Sequence, residues 1–374
     1  MSLYGDALYQ IKHNKDIRDS GGVVAIPWHG LPRLSKVLPG IRKKEYTIIT
    51  SGTKESKTQL TNYLYIYQPI EWLMNNRDVD IDYKVKFFSL EMSRELMMTQ
   101  AISYKLLAEF GELVGVNNLL SIFNEYTLEP RLLNLIESPK VREWFEFFEE
   151  KVEIWDSTKH PTGIMATVEK YARDNGKMYY KEVEWENGEK HKVIDKYVPN
   201  NPNEIVNTIV DHATLLSERG KTLYECIKTL SSDHFIKLKN VYGHSCTLVQ
   251  QQSASSSEQQ FNNRGENVLD KVRPTREGLT GNRDSGMDCT LMLGIFSPYK
   301  YKVSNYEDWD LNRIRDYHRE VSILLNRSGK SNASIQMYFN GAASYFMELP
   351  NQEDNRVYDY VDKYRKIEES YTKD

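Results

Sequence analysis

Short apolar runs alternate with longer amphipathic ones through most of this chain, and that alternation leaves few folds open. "EYTIIT" (45–50) reads as a buried strand, and "SKTQLTNYLYIYQPIEWLM" (56–74) as a helix with Leu60, Leu64 and Tyr67 on one side. "YKVKFFSLEM" (83–92) reads as an apolar strand ending in an acid, followed by the helix "SRELMMTQAISYKLLAEFG" (93–111). "VEIWD" and "TGIMATVEKYARDNG", the latter closed by Gly176, repeat the pattern. So do "NTIVDHATLL", the helix "TLYECIKTLSSDHFIKLKNVYG" stopped by Gly243, and the strand "SCTLVQQ". Such repetition predicts an α/β fold, a mostly parallel twisted sheet with helices on both faces. Later, "TLMLGIFSP", "EVSILLNR" and "ASIQMYF" follow one another without long helices between them, which predicts an antiparallel edge.

One domain is expected over residues 26–350. Residues 1–25 form a polar arm with a short amphipathic helix at Leu3–Ile11, too small to stand alone and suited to docking on a neighbouring subunit. Residues 177–203 alternate in period two around Asn187-Gly188, as an inserted hairpin would. Residues 252–286 are polar and rich in Gly, Ser and Asn, and 351–374 form a charged, Tyr-bearing tail. Apolar content of 40%, charged content of 27% and a net charge of -4 describe a soluble globular chain, and leave nucleic acid open only through a local basic patch. Cys226, Cys246 and Cys289 have neither CxxC spacing nor histidine partners, which excludes a disulfide framework and a zinc site. No run approaches the roughly 20 apolar residues of a membrane span. The expected setting is the cytoplasm.

"TIITSGTKESKTQL" (47–60) places a small-residue loop between a strand and a helix, where phosphate-binding loops sit. Lys57 and Thr58 stand as the lysine and hydroxyl of G-x-x-x-x-G-K-[ST] would, but its two glycine positions are Ser51 and Ser56, and Gly52 comes one residue late. Ser51, Gly52, Thr53, Lys54, Glu55, Ser56, Lys57 and Thr58 are thus the candidate phosphate-binding residues. Glu91, closing its strand, would reach the same sheet edge and could activate a water. Asp211, closing "NTIVD", could reach Mg²⁺ with Thr58. Gln250 or Gln251 could sense a terminal phosphate. Arg327, after "EVSILLN", could serve a neighbouring subunit's nucleotide.

Together these pieces resemble the RecA-like ATPase domain of the replicative DnaB-type hexameric helicases, with related recombinases as cousins, over residues 25–345. "FFSLEMSRELMMTQAIS" is similar to that family's strand with the catalytic glutamate, and "GLPRLSKVLPGIRKKEYTIITSG" to its lead-in to the P-loop. "VEIWDSTKHPTGIMATVEKYARDNG", "TIVDHATLL" and "LLNRSGKSNASIQMYFNG" follow in the family's order. The resemblance implies ATP and Mg²⁺ as cofactors, with Lys57 and Thr58 on the phosphates and the metal. It makes Glu91 the catalytic base, Asp211 the Walker B acid, Gln251 the sensor and Arg327 the arginine finger across a subunit interface.

It further implies single-stranded DNA as partner, a homo-oligomer that is a hexamer, and a primase or other replication protein as a possible contact. The DNA-facing loops would be Ser253–Asn267 and Arg273–Asp284, with Arg273, Arg276 and Arg283 supplying charge. Departures from the family are Ser56, Leu325 in place of a basic residue, His212 where an aromatic is common, and the missing primase-contacting N-terminal domain. They suit a divergent, phage-encoded relative working in host cytoplasm. Two rivals stay open: a recombinase-like filament, and a nucleotide-binding scaffold that does not hydrolyse ATP.

Overall fold

The computed structural model describes residues 3–185, 188–253, 269–350, 354 and 356–371. Its strands in chain order are β1 (Tyr46–Ser51), β2 (Asp82–Ser89), β3 (Val152–Trp155), β4 (Gly176–Glu184), β5 (Lys190–Pro199), β6 (Glu204–Asp211) and β7 (Ser245–Gln251). They are followed by β8 (Leu291–Phe296), β9 (Asn305–Tyr306), β10 (Trp309–Asp310), β11 (His318–Asn326), β12 (Ser334–Asn340) and β13 (Tyr345–Glu348). Nine of them form one sheet in the order β13-β12-β11-β8-β1-β7-β6-β2-β3. From β8 to β3 every pairing is parallel. β11, β12 and β13 complete the sheet through antiparallel pairings. The expected architecture is present, including the antiparallel edge.

Period-two alternation explains why these strands read as continuous apolar runs. Ile49, Phe87, Ile209 and Leu293 point into one core, packed against Leu60, Leu64, Ile70 and Trp144. Their immediate neighbours Ile48, Phe88, Val210 and Met292 point into the other, against Ile164, Val168, Ile227 and Leu230. Both faces are covered, so both sets must be apolar, and a one-residue slip would exchange the two cores.

Several boundaries differ from expectation. β2 ends at Ser89, so Glu91 lies in the following loop rather than closing the strand. Gly176 opens β4, and the helix before it ends at Asp174 with Asn175 as its cap. The N-terminal helix runs over Leu3–Asp19. The terminal helix Arg356–Ser370 buries Val357, Tyr358, Val361 and Tyr364. Its Glu368 accepts from Tyr317 and, at 3.0 Å, from Asn340, which ties it to the antiparallel edge. Among the described residues no helix is long and apolar enough to cross a membrane.

Candidate active site at the carboxyl edge of the parallel strands

Strand register brings the candidate residues to one edge. Ser51, the last residue of β1, pairs with Gln251, the last of β7. Asp211, the last of β6, pairs with Ser89 of β2 and with Val249 of β7. The carboxyl edge of a parallel sheet is where such folds bind ligands.

After Ser51 the chain turns through Gly52–Ser56 into a helical segment that runs from Lys57–Asn62 through a wider turn, Tyr63–Tyr67, into Gln68–Asn75. Ser56 takes φ +74, ψ 28, in the left-handed region, and Lys54 takes φ +60. The glycine that phosphate loops use before the lysine therefore has a physical counterpart here, a backbone conformation that costs a side-chain-bearing residue about 1–2 kcal/mol. Ser56→Gly is expected to raise stability by up to about 1 kcal/mol, since relief at this φ exceeds glycine's extra unfolded-state entropy. Denaturant unfolding of the variant checks this, and destabilisation would show that the serine side chain holds the loop.

Lys57 is buried, and its Nζ donates to the Gly52 carbonyl at 2.9 Å and to Ser51 Oγ at 3.3 Å. Burial pulls its pKa down, and Glu55, Asp211 and Glu91 act in the opposite direction. Its hydrogen-bond partners are neutral oxygens, so the ammonium charge is free to meet a phosphate. Asp211 is 2% exposed with no hydrogen-bond partner on Oδ1. Burial pushes its carboxyl up to about 6, opposed by a hydrogen bond from Thr58, while Glu91 adds to the rise and Lys57 opposes it. An orphaned carboxylate oxygen beside a threonine hydroxyl fits Mg²⁺, which takes one or two carboxylates and completes its shell with water and phosphate.

Glu91 is 59% exposed at its side chain, with Oε2 3.3 Å from His212 Nε2. His212 Nδ1 lies 2.7 Å from the Thr214 hydroxyl. With Nε2 donating to the carboxylate and Nδ1 accepting from Thr214, the imidazole orients Glu91. Sequence reading noted His212 only as a departure; the pairing is set by the loop after β2 meeting the loop after β6.

The two glutamines separate by strand alternation. Gln251 donates to Thr53 Oγ1 in the loop. Gln250 points away, donating to the carbonyls of Thr280 and Asn282 at 2.8 Å and accepting from Ser285 at 2.7 Å. Glu55, 1% exposed, accepts from Lys300 at 2.9 Å and from Tyr301 at 3.2 Å, and Lys300 also donates to the Thr53 carbonyl at 2.9 Å. Its side chain therefore braces the loop from behind, and only its backbone is available to line a phosphate. Lys300 and Tyr301 carry no local signal, because their partner lies about 245 residues away in sequence.

Arg327 sits at the opposite edge. Its backbone N–H donates to the Thr290 carbonyl at 2.9 Å, beside the start of β1, and its side chain donates to the carbonyls of Cys289 and Met287. It therefore lies by the start of β8, at the end of the sheet opposite the one that Lys57 follows. Leu325 packs partly buried against the second core. Arg273 is not a free cation: it is bound to the fully buried Glu320, a correction to its assignment as a DNA contact. Arg276 and Arg283 are exposed. Of Ser253–Asn267, residues 254–267 lie outside the described residues; Ser253 donates to the Gly278 carbonyl at 2.7 Å.

Neither a family model nor a curated protein matches the chain. Among solved structures it is similar to the ATPase domain of G40P, at 15% identity and TM-score 0.65, covering 94% of this chain and 100% of that one. It is also similar to a DnaB-like replicative helicase, solved with an account of its interactions with primase, at 14% identity and TM-score 0.63, covering 91% of this chain and 67% of that one. The chain therefore has the RecA-like fold of DnaB-like helicase ATPase domains, carried by a divergent sequence.

Proposed function

We propose that the chain is an ATP-driven motor of the DnaB type that couples hydrolysis between subunits to movement along single-stranded DNA. The observation that supports it best is the division of parts between two edges of the sheet. Lys57, Thr58, Asp211, Glu91 and Gln251 gather at one, and Arg327 at the other, so a complete site needs two copies of the chain. A closed ring, expected as a hexamer, supplies that arrangement.

In this reading the backbone of Ser51–Ser56 and the Lys57 ammonium hold the phosphates, and Thr58 and Asp211 hold Mg²⁺. The metal neutralises charge building on the phosphates when bound. Glu91, oriented by His212, takes a proton from the attacking water, and a neighbour's Arg327 stabilises the transferred group. Gln251 links that group to the loop through Thr53. A primase partner and a phage origin belong to the same reading.

Electron microscopy of negatively stained protein with a non-hydrolysable ATP analogue tests the assembly. Closed rings are expected; open filaments would favour the recombinase-like rival, and single chains would contradict the two-copy site.

A further inference from the structure

The β4–β5 hairpin takes no part in the site described above. Its strands pair in antiparallel register with a bulge between Tyr179 and Tyr180. Met178, Ile194 and Tyr197 face the body, packing against the second core, with the Tyr197 ring 5.3 Å from that of Tyr242. Alternation sends the other set outward: Lys177, Tyr179, Lys181, Val183 and Trp185 from β4 and its end, facing Val198, Lys196, Val193 and His191 across the ladder.

That outward face is unusual for a surface. Tyr179 is 51% exposed and Trp185 54%, with Trp185 stacked on His191 at 3.8 Å. Lys177 and Lys196 flank Tyr179 and are exposed. Lys181 pairs with Asp195 at 2.9 Å, where both side chains are about half exposed, a pair that a phosphate can replace. The carboxylates of Glu182 and Glu184 alternate to the opposite face. Rigid aromatic planes set between lysines, with Glu182 and Glu184 on the other face and Asp195 and Glu189 beside Lys181 and His191 on this one, suit a strand of unpaired nucleotides: bases stack on the rings and phosphates meet the ammonium groups. A purely apolar protein partner would have no use for the lysines.

We propose that the outer face of this hairpin is a single-stranded nucleic-acid contact, built from Tyr179, Trp185, Lys177, Lys181 and Lys196. The inference rests on the single-strand reading above and adds to it a surface separate from the ATP site.

The test is fluorescence anisotropy of a dye-labelled oligothymidylate with the full chain and an ATP analogue, over a range of salt. Tyr179→Ala/Trp185→Ala is expected to weaken binding at least about fivefold per aromatic lost. Lys181→Glu/Lys196→Glu is expected to flatten the salt dependence by about 0.7 per lysine in log–log slope. Trp185 is the exposed tryptophan, so oligonucleotide should also quench intrinsic emission in the wild type and not in Trp185→Phe. These side chains are exposed, so the variants should keep the wild-type unfolding midpoint. Wild-type affinity and slope in both variants would overturn the inference, as would a loss confined to self-assembly. A wild-type chain that fails to bind the oligonucleotide would overturn both the inference and the single-strand reading.

Discussion

Glu91→Gln lowers kcat for ATP hydrolysis by at least about 100-fold and leaves ATP affinity within a few-fold, because a general base typically contributes 10²–10⁴ and an amide cannot take the proton. The geometry makes this a sharp expectation. Glu91 meets His212 at 3.3 Å, and it is exposed rather than held in a structural ion pair. The amide can still meet His212, so folding and ATP binding should persist. Steady-state turnover with equilibrium binding of a fluorescent ATP analogue separates the two. Wild-type turnover in the variant would remove Glu91 from the chemistry and pass the base's role to another group.

The second large effect concerns stability. His244 is 4% exposed with no hydrogen-bond partner on Nδ1. Burial, followed by the nearby charges of Lys43 and Lys86, lowers its pKa to about 3. Between the ordinary histidine value of about 6.5 and that depressed value, the unfolded chain binds a proton that the folded chain refuses. The stability contribution is therefore complete above pH 6.5 and is lost as the pH falls, at about 1.4 kcal/mol per unit. Buried carboxyls such as Asp211, whose pKa is raised, act in the opposite sense over part of the same range. A comparison of wild type with His244→Phe isolates the histidine. From pH 6.5 to 4.5 the variant should gain about 2.3 kcal/mol relative to wild type in denaturant unfolding. The Tyr197 and Tyr242 rings beside it already form an aromatic surround for the replacement. A pH-independent difference would mean that His244 takes up its proton within the folded chain.

Much of the fold was legible because the parallel strands are buried on both faces. Pairs such as Ile48/Ile49 and Phe87/Phe88 leave a run with no polar alternation. The place of Lys57 and Thr58 at the start of a helix after β1 was legible because a strand, a short loop and a helix follow one another there. The choice between Gln250 and Gln251 was open in the sequence and is separated in the structure, since neighbours on a strand face opposite ways and only Gln251 meets the loop.

What was not legible depends on contacts made far along the chain. Arg273 reads as a free cation until β11 brings Glu320 beside it, 47 positions later. Glu55 reads as a loop acid until Lys300 and Tyr301 close over it. The helices Pro130–Ile136 and Pro139–Lys151, each with proline at its start, bury Leu132 and Trp144 in a stretch whose sequence signals less than its packing does. Ser56 illustrates the reverse. The sequence marks it as a departure, and the backbone shows why: the loop requires a left-handed residue there, and serine occupies that conformation.

The central claim is that the loop around Ser56 and Lys57 binds ATP for hydrolysis driven by DNA. Steady-state ATP turnover of the purified chain, with and without single-stranded DNA, measured beside Lys57→Ala, tests it most directly. Turnover is expected to rise when DNA is added and to disappear in the variant. ATP binding that Lys57→Ala abolishes, with no turnover in the wild type under either condition, would contradict the motor and leave a nucleotide-binding scaffold in its place.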